Sequence, residues 1–365
     1  GVAEQGKQRL LKLKPAPLAS KSLIHGIRAL NFEEDLAKLS ECDLIIEAVA
    51  ERMDIKRDLY GKVTPHIKPG AIFASNTSGL SITELAGVVP ETLQSQFCGV
   101  HFFNPPRYMH LVELIPHAGT DAKLLDQLED FLTRGLGKGV VRARDTANFI
   151  ANRVGVFTMW STMHHAQRLG LGFDTVDALT GPAIGRPKSA TFRLADVVGL
   201  DTMGNVIKTM HDKLADDPWH GLYQAPKWLD HLLDNGALGQ KSGAGVFKKV
   251  GKEIVVFDPE TGEYRATDYG LPESIQALLK LKDPAEKIKA FAECETPEAE
   301  FLWCIHRDLF HYCAYHLADI ANSTREIDLA MRWGYGWKLG PFEQWQAAGW
   351  SEVAQLIQRD IDAGT

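Results

Sequence analysis

Between residues 43 and 143 short apolar runs alternate with amphipathic stretches, and after residue 146 the short runs stop. No other feature limits the fold as strongly. Residues 43–49 (Asp-Leu-Ile-Ile-Glu-Ala-Val) have the almost unbroken apolar character of a strand buried on both faces. A helix is predicted over 54–67, ended by Pro69-Gly70, then a strand over 71–76 and a helix over 81–89, where Ser81 and Glu84 make a capping-box pattern. A strand over 97–103, a returning strand over 111–115, an amphipathic helix over 121–136 and a closing strand over 139–143 complete the alternation. Such alternation predicts an α/β domain with a partial doubly wound, Rossmann-like sheet. Beyond it the pattern predicts helices over 148–168, 174–179 and 191–214, the last broken at Gly199. An all-α domain therefore follows the sheet domain. Residues 254–265 read as a hairpin around Asp258-Pro259-Glu260-Thr261-Gly262, with a charged helix after it.

With 365 residues, 45% hydrophobic and 24% charged, the chain has room for two or three domains. A net charge of -7 argues against a nucleic-acid surface, and no apolar span is long enough to predict a membrane crossing. Lys7, Arg9, Lys12 and Lys14 interleave with Leu10, Leu11 and Leu13, which reads as a solvated amphipathic helix rather than a targeting peptide. The five cysteines are scattered without metal-ligand spacing, so no metal site is expected and a reducing compartment, the cytoplasm, is the default.

One segment carries chemistry. In Val100-His101-Phe102-Phe103-Asn104-Pro105-Pro106 a strand runs into a Pro-Pro turn, and Leu111-Val112-Glu113-Leu114-Ile115 reads as the strand coming back. His101 and Glu113, twelve positions apart, can meet across that hairpin. A carboxylate bonded to one imidazole nitrogen fixes the tautomer and strengthens the other nitrogen as a base toward an alcohol proton. A histidine on a strand is more often a satisfied core residue, so spacing alone leaves both readings open.

The surrounding words narrow them. Ala74-Ser75-Asn76-Thr77-Ser78, His101-Phe102-Phe103-Asn104-Pro105, Val112-Glu113, and Asp145-Thr146 with Phe149-Ile150-Ala151-Asn152-Arg153 resemble, in order and spacing, the 3-hydroxyacyl-CoA dehydrogenase family. The resemblance runs from about residue 1 to 250, including the glycine-rich closing motif Lys241-Ser242-Gly243-Ala244-Gly245-Val246-Phe247, with a weaker second match over about 298–350. It implies oxidation of an L-3-hydroxyacyl-CoA to the 3-ketoacyl-CoA by NAD, in fatty-acid β-oxidation. By the same resemblance His101 is the base and Glu113 its orienter, and Ser78 and Asn152 hold substrate or the nicotinamide end. Glu51, Lys56, Asn104 and Lys241 match cofactor-contacting positions, and Lys12 a lysine near the CoA phosphates. Taken without the resemblance, Glu51 and Lys56 are a solvated helix-start pair, Ser78 and Asn152 are caps, and Lys12 sits on a solvated helix face. The family commonly has Pro-Gly after Asp-Thr, whereas this chain has Ala147-Asn148, which predicts a stiffer inter-domain hinge. Competing readings are an NAD-linked hydroxyacid or sugar-acid dehydrogenase, and a catalytically silent CoA-binding or assembly fragment.

The last part repeats the helical domain. Asp177 leads to Phe192, Asp196 and Gly199, while Asp328 leads to Phe342, Gln346 and Gly349, with intervals of 15, 4 and 3 residues against 14, 4 and 3. The expected division is 1–146 for the cofactor domain, 147–249 for the helical domain, 250–297 for a connector and 298–365 for the second helical copy, with Phe342, Trp345 and Trp350 as its packing residues against the first. His306, His311 and His316 recur at five-residue spacings, which spreads them around a helix. A second copy is typical of long multidomain members, which implies an enoyl-CoA hydratase domain outside this chain and homodimer contacts through the helices. No strand and Gly-rich turn of the kind that holds a dinucleotide pyrophosphate precedes Asp43, so the chain is expected to begin inside the cofactor domain.

Overall fold

The computed structural model describes residues 1–364, which divide into two compact units, Gly1–Val140 and the residues from Val141 onward. After a first helix, α1 (Val2–Arg9), the chain builds a five-stranded sheet in sequential order from β1 (Leu44–Glu47), β2 (Ile72–Ser75), β3 (Phe97–Phe102), β4 (Leu111–Ile115) and β5 (Gly139–Arg142). β1, β2 and β3 are parallel, joined through α2 (Met53–Val63), α3 (Ile82–Ala86) and α4 (Glu91–Gln94). β4 turns back antiparallel to β3, because a short Pro-Pro connection leaves no room for the crossover that a parallel return needs. The doubly wound pattern is thus confined to three strands. Both sheet faces are covered: Tyr60, Phe73 and Phe97 stack edge-on or tilted on one, and Cys98, Val100, Val112 and Leu114 meet Leu125, Leu128 and Leu132 on the other. The last three come from α5 (Ala122–Asp130) and the π-helical turn, Phe131–Gly135, that ends it. Gly99 lets α3 sit on β3, since a Cβ there would lie 2.8 Å from the Ile82 side chain.

The second unit opens with two residues in the left-handed region, Asn148 and Phe149 (φ 62° and 55°), so α6 (Ala151–Arg168) starts later than the predicted 148. α7 (Phe173–Leu179), α8 (Phe192–Val198), α9 (Leu200–Lys213) and α10 (Lys227–Asp234) follow, with α8 and α9 separated at Gly199, whose φ of 101° suits only glycine. The predicted hairpin is one edge of a three-stranded antiparallel sheet, β6 (Phe247–Val250), β7 (Glu253–Phe257) and β8 (Tyr264–Ala266). The expected boundary at 249/250 therefore falls inside a sheet. Two helices, not one, come next: α11 (Glu273–Lys280) and α12 (Pro284–Glu293). α13 (Pro297–Ile320), α14 (Thr324–Tyr335), α15 (Pro341–Ala347) and α16 (Trp350–Asp362) end the chain.

The repeat has a physical basis. Asp177 on α7 accepts the backbone N–H groups of Thr191, Phe192 and Arg193 at 2.7 to 3.1 Å, and Asp328 on α14 accepts those of Phe342 and Glu343 at 2.8 and 3.4 Å. In both copies a buried aspartate of one helix caps the next, and a positive-φ glycine, Gly199 or Gly349, breaks the chain before the last. Burial outweighs these donors and pushes Asp177 up to about 7 and Asp328 to about 6. The copies differ at Asp196, which takes the N–H groups of Val246 and Phe247 and so fastens the closing motif, where the second copy has an exposed Gln346.

The copies pack through α6 and α13. Phe157 stacks on Tyr312 with centroids 3.7 Å apart, and Asp308 accepts from Ser161 and His165 at 2.8 and 2.7 Å. Gly155 admits the Tyr335 ring of α14, which a Cβ would overlap. Of the residues expected to join the copies, Trp345 stacks on Phe310, Phe342 and Trp350, all within its own copy. The three histidines of α13 serve different partners. His306 donates Nδ1–H to the Leu302 carbonyl, His311 lies edge-on to Trp219, and His316 meets Asp217. Burial, with lesser contributions from the cations Arg186 and Lys287, lowers His306 to about 4. The unfolded chain then binds a proton that the folded chain refuses between about pH 6.5 and 4, so His306 erodes stability as pH falls through that window. Denaturant melts at pH 7 and pH 4.5 are expected to show a smaller acid loss in His306→Phe than in the parent; an equal loss would assign that acid sensitivity to other groups.

Candidate active site

β3 and β4 are in register with His101 opposite Glu113, and the antiparallel pleat points both side chains to the same face. His101 Nδ1 lies 2.7 Å from Glu113 Oε2, with only 4% and 0% of the two side chains exposed. A carboxylate at that distance fixes the tautomer with the proton on Nδ1, so Nε2 carries the lone pair. The Phe103 ring, 4.5 Å from the imidazole, packs against it. The hairpin expected from the Pro-Pro turn therefore brings His101 and Glu113 into direct contact.

A second cluster forms at the carboxyl ends of β1 and β2, where ligands bind in open α/β sheets. Glu47, the last residue of β1, receives Lys56 Nζ at 2.7 and 2.8 Å, the Tyr60 hydroxyl at 2.9 Å and the Ser75 hydroxyl at 2.8 Å. Burial opposes the Glu47 charge, but the Lys56 ammonium, the Ser75 hydroxyl and the Val49 N–H together hold its carboxyl below the usual range. Lys56 is fully buried, so its pairing with Glu51 is not the solvated one expected: Glu51 makes a long ion pair at 3.9 Å, and Glu47, at 2.7 Å, is the main partner. Glu51 instead shapes the loop after β2, accepting the Thr77 hydroxyl at 2.5 Å and the N–H groups of Ser78 and Gly79 at 2.8 and 2.9 Å. Asn76 Oδ1 takes the Phe102 N–H at 2.9 Å, which ties this loop to the strand that carries His101.

The first unit thus gathers His101 and Glu113 on one hairpin, and Glu51, Lys56 and Ser78 around one loop. Asn104 is exposed beside Pro105, and Lys12 is exposed in the turn after α1. Asn152 and Lys241 belong to the second unit. Asn152 is in the first turn of α6 rather than at its cap, and Lys241 pairs with Asp201 at 2.5 and 2.6 Å. Glu47 and Tyr60 were not singled out from the sequence, and Ser75 and Asn76 entered only as members of the Ala74–Ser78 motif, with no role of their own. Glu47 had a signal: a carboxylate closing an apolar strand needs a cation, and Lys56 is the first lysine of the next helix.

Residues 4–146 match the family profile described as 3-hydroxyacyl-CoA dehydrogenase, NAD binding domain, and residues 149–249 match the C-terminal domain of the same enzyme family. A sheet domain followed by a helical unit is the two-part dehydrogenase architecture that these profiles describe. The chain belongs to the 3-hydroxyacyl-CoA dehydrogenase family. It is 40% identical over 358 residues to a probable 3-hydroxyacyl-CoA dehydrogenase of Bacillus subtilis (strain 168), covering 98% of this chain and 45% of that protein. A protein of the same name from Deinococcus radiodurans is 41% identical over 252 residues, 69% of this chain and 72% of the relative. The fold follows 3-hydroxybutyryl-CoA dehydrogenase from Escherichia coli K12 with a TM-score of 0.77 over 100% of this chain and 87% of that one, at 21% identity. The chain spans about half the length of the first curated relatives that it matches. No helix among the described residues is long and apolar enough to cross a membrane.

Proposed function

We propose that this chain is the dehydrogenase part of a β-oxidation enzyme that oxidises L-3-hydroxyacyl-CoA to 3-ketoacyl-CoA. The reading rests on the buried His101–Glu113 pair, 2.7 Å apart on facing strands. His101 Nε2 takes the proton of the 3-hydroxyl as the C3 hydride departs, and Glu113 keeps Nδ1 protonated and stabilises the imidazolium that results. NAD, the cofactor of the family's first domain, supplies the hydride acceptor when bound. The donor set suits its nicotinamide end: the Glu51 carboxylate is 43% exposed beside Lys56, and the Ser78 and Asn104 side chains are exposed near the strand ends. By the family's pattern Ser78 and Asn152 are hydrogen-bond donors toward the substrate, Lys241 is a cofactor contact, and Lys12 is a point charge for the CoA phosphates. A hydratase domain carried outside these residues would supply the hydroxyacyl-CoA.

An NADH absorbance assay with acetoacetyl-CoA tests the proposal in the protein that carries this chain. Saturable NADH consumption is expected. Reduction of free 3-keto acids or sugar acids but not of the CoA thioester would transfer the assignment to another hydroxyacid class, and no turnover with any of them would leave a binding module.

A further inference from the structure

A cavity of about 480 Å³ lies within the second unit, between the loop after α7, the loop before α15 and the start of α12. That volume is in the range of small-molecule sites, roughly 300–1,000 Å³. Ile288, Phe291 and Leu339 supply apolar wall, and Lys282, Lys287 and Lys338 supply charge; no aspartate or glutamate lines it. Lys282 and Lys338 are exposed and form no ion pair among the described residues, whereas Lys287 donates to the Leu279 carbonyl at 2.8 Å. Behind the first loop Arg186, nine-tenths buried, lies over the Trp337 ring at 4.7 Å, another cation with no carboxylate partner among the described residues. The two loops meet directly, through the Lys338 N–H on the Gly185 carbonyl at 2.9 Å.

We propose that this cavity binds an alkyl chain with an anionic head, the chain against Ile288, Phe291 and Leu339 and the head at Lys282 and Lys338. Three cations around an apolar hollow with no counter-charge favour a ligand that brings both apolar area and negative charge. A bare phosphate would leave the wall unfilled, and a neutral lipid would leave the lysines unmatched. Because the hollow is formed by corresponding loops of the two helical copies together with the connector helix, an occupant would clamp the repeat and raise its melting temperature with ligand concentration. The site is separate from His101 and does not depend on the reaction there.

Calorimetric titration of the whole chain with dodecanoate, below its micellar concentration, is expected to give one saturable site and a matching rise in melting temperature. Dodecanol should bind about tenfold or more weakly, since it keeps the chain and loses the charge. The double variant Lys282→Glu, Lys338→Glu should lose about as much affinity, while Lys282→Arg, Lys338→Arg should keep it; both lysines are exposed, and circular dichroism establishes that the variants fold. Dodecanoyl-CoA is the second arm: displacement of bound dodecanoate in the parent identifies the thioester as an occupant, and failure to displace it assigns the site to free acids. Equal affinity for dodecanol and dodecanoate, binding untouched by the charge reversal, or no saturable binding would each overturn the proposal. Dodecanoate binding retained in His101→Gln, or in a protein without NADH turnover, separates this site from the catalytic one.

Discussion

His101→Gln is expected to lower kcat by about 10²-fold or more and to leave KM for acetoacetyl-CoA nearly unchanged. Proton transfer at C3 belongs to the transition state, and glutamine keeps a donor toward Glu113 while removing the basic nitrogen. NADH affinity, measured by fluorescence, should stay within a few-fold of the parent, since the imidazole faces Glu113 on the hairpin rather than the loop shaped by Glu51. Near-normal turnover in the variant would end the catalytic assignment. A fall in NADH affinity that matches the fall in rate would give His101 a binding role instead.

The largest stability effect is expected at Glu47. In Glu47→Ala the Lys56 ammonium stays buried with its main counter-charge removed, and the Tyr60 and Ser75 hydroxyls lose the carboxylate that accepts from them. Breaking a buried pair in this way costs about 3–5 kcal/mol, far more than an exposed pair. Chemical denaturation of the parent and variant measures it. Glu47→Leu combined with Lys56→Met should recover most of the loss, because an apolar pair of similar volume leaves no charge without a partner. A single variant as stable as the parent would mean that Glu51 or solvent replaces Glu47 around Lys56.

How far these features could be read in advance depends on the distance over which each is determined. The parallel strands were legible because a strand covered on both faces is apolar along its length, and His101–Glu113 because a short proline turn sets an antiparallel register. Asp177 and Asp328 were visible only as a recurring interval; that they cap helices 14 or 15 residues away is tertiary information. Glu47–Lys56 joins a strand to a helix, and a lysine on an amphipathic helix looks solvated until the sheet beneath it is known. β6, which starts on the last residue of the closing motif, was missed because Phe-Lys-Lys-Val carries too weak an alternation to mark a strand by itself. The late start of α6 follows from left-handed Asn148 and Phe149, and sequence marks such a bend only when glycine occupies it. Asparagine tolerates that region better than other side chains, which is why Asn148 can stand where the family commonly has glycine.

The contact between Gly155 and Tyr335 shows what is gained when two copies share one polypeptide. In a symmetric dimer every change on one side of an interface is imposed on the other as well. Here the ring and the hollow that receives it are encoded once each, Asp196 fastens a motif while its counterpart Gln346 is relieved of that duty, and each face can specialise without harming its twin. The tether also holds the partners at a high local concentration, so their docking does not weaken as the protein is diluted.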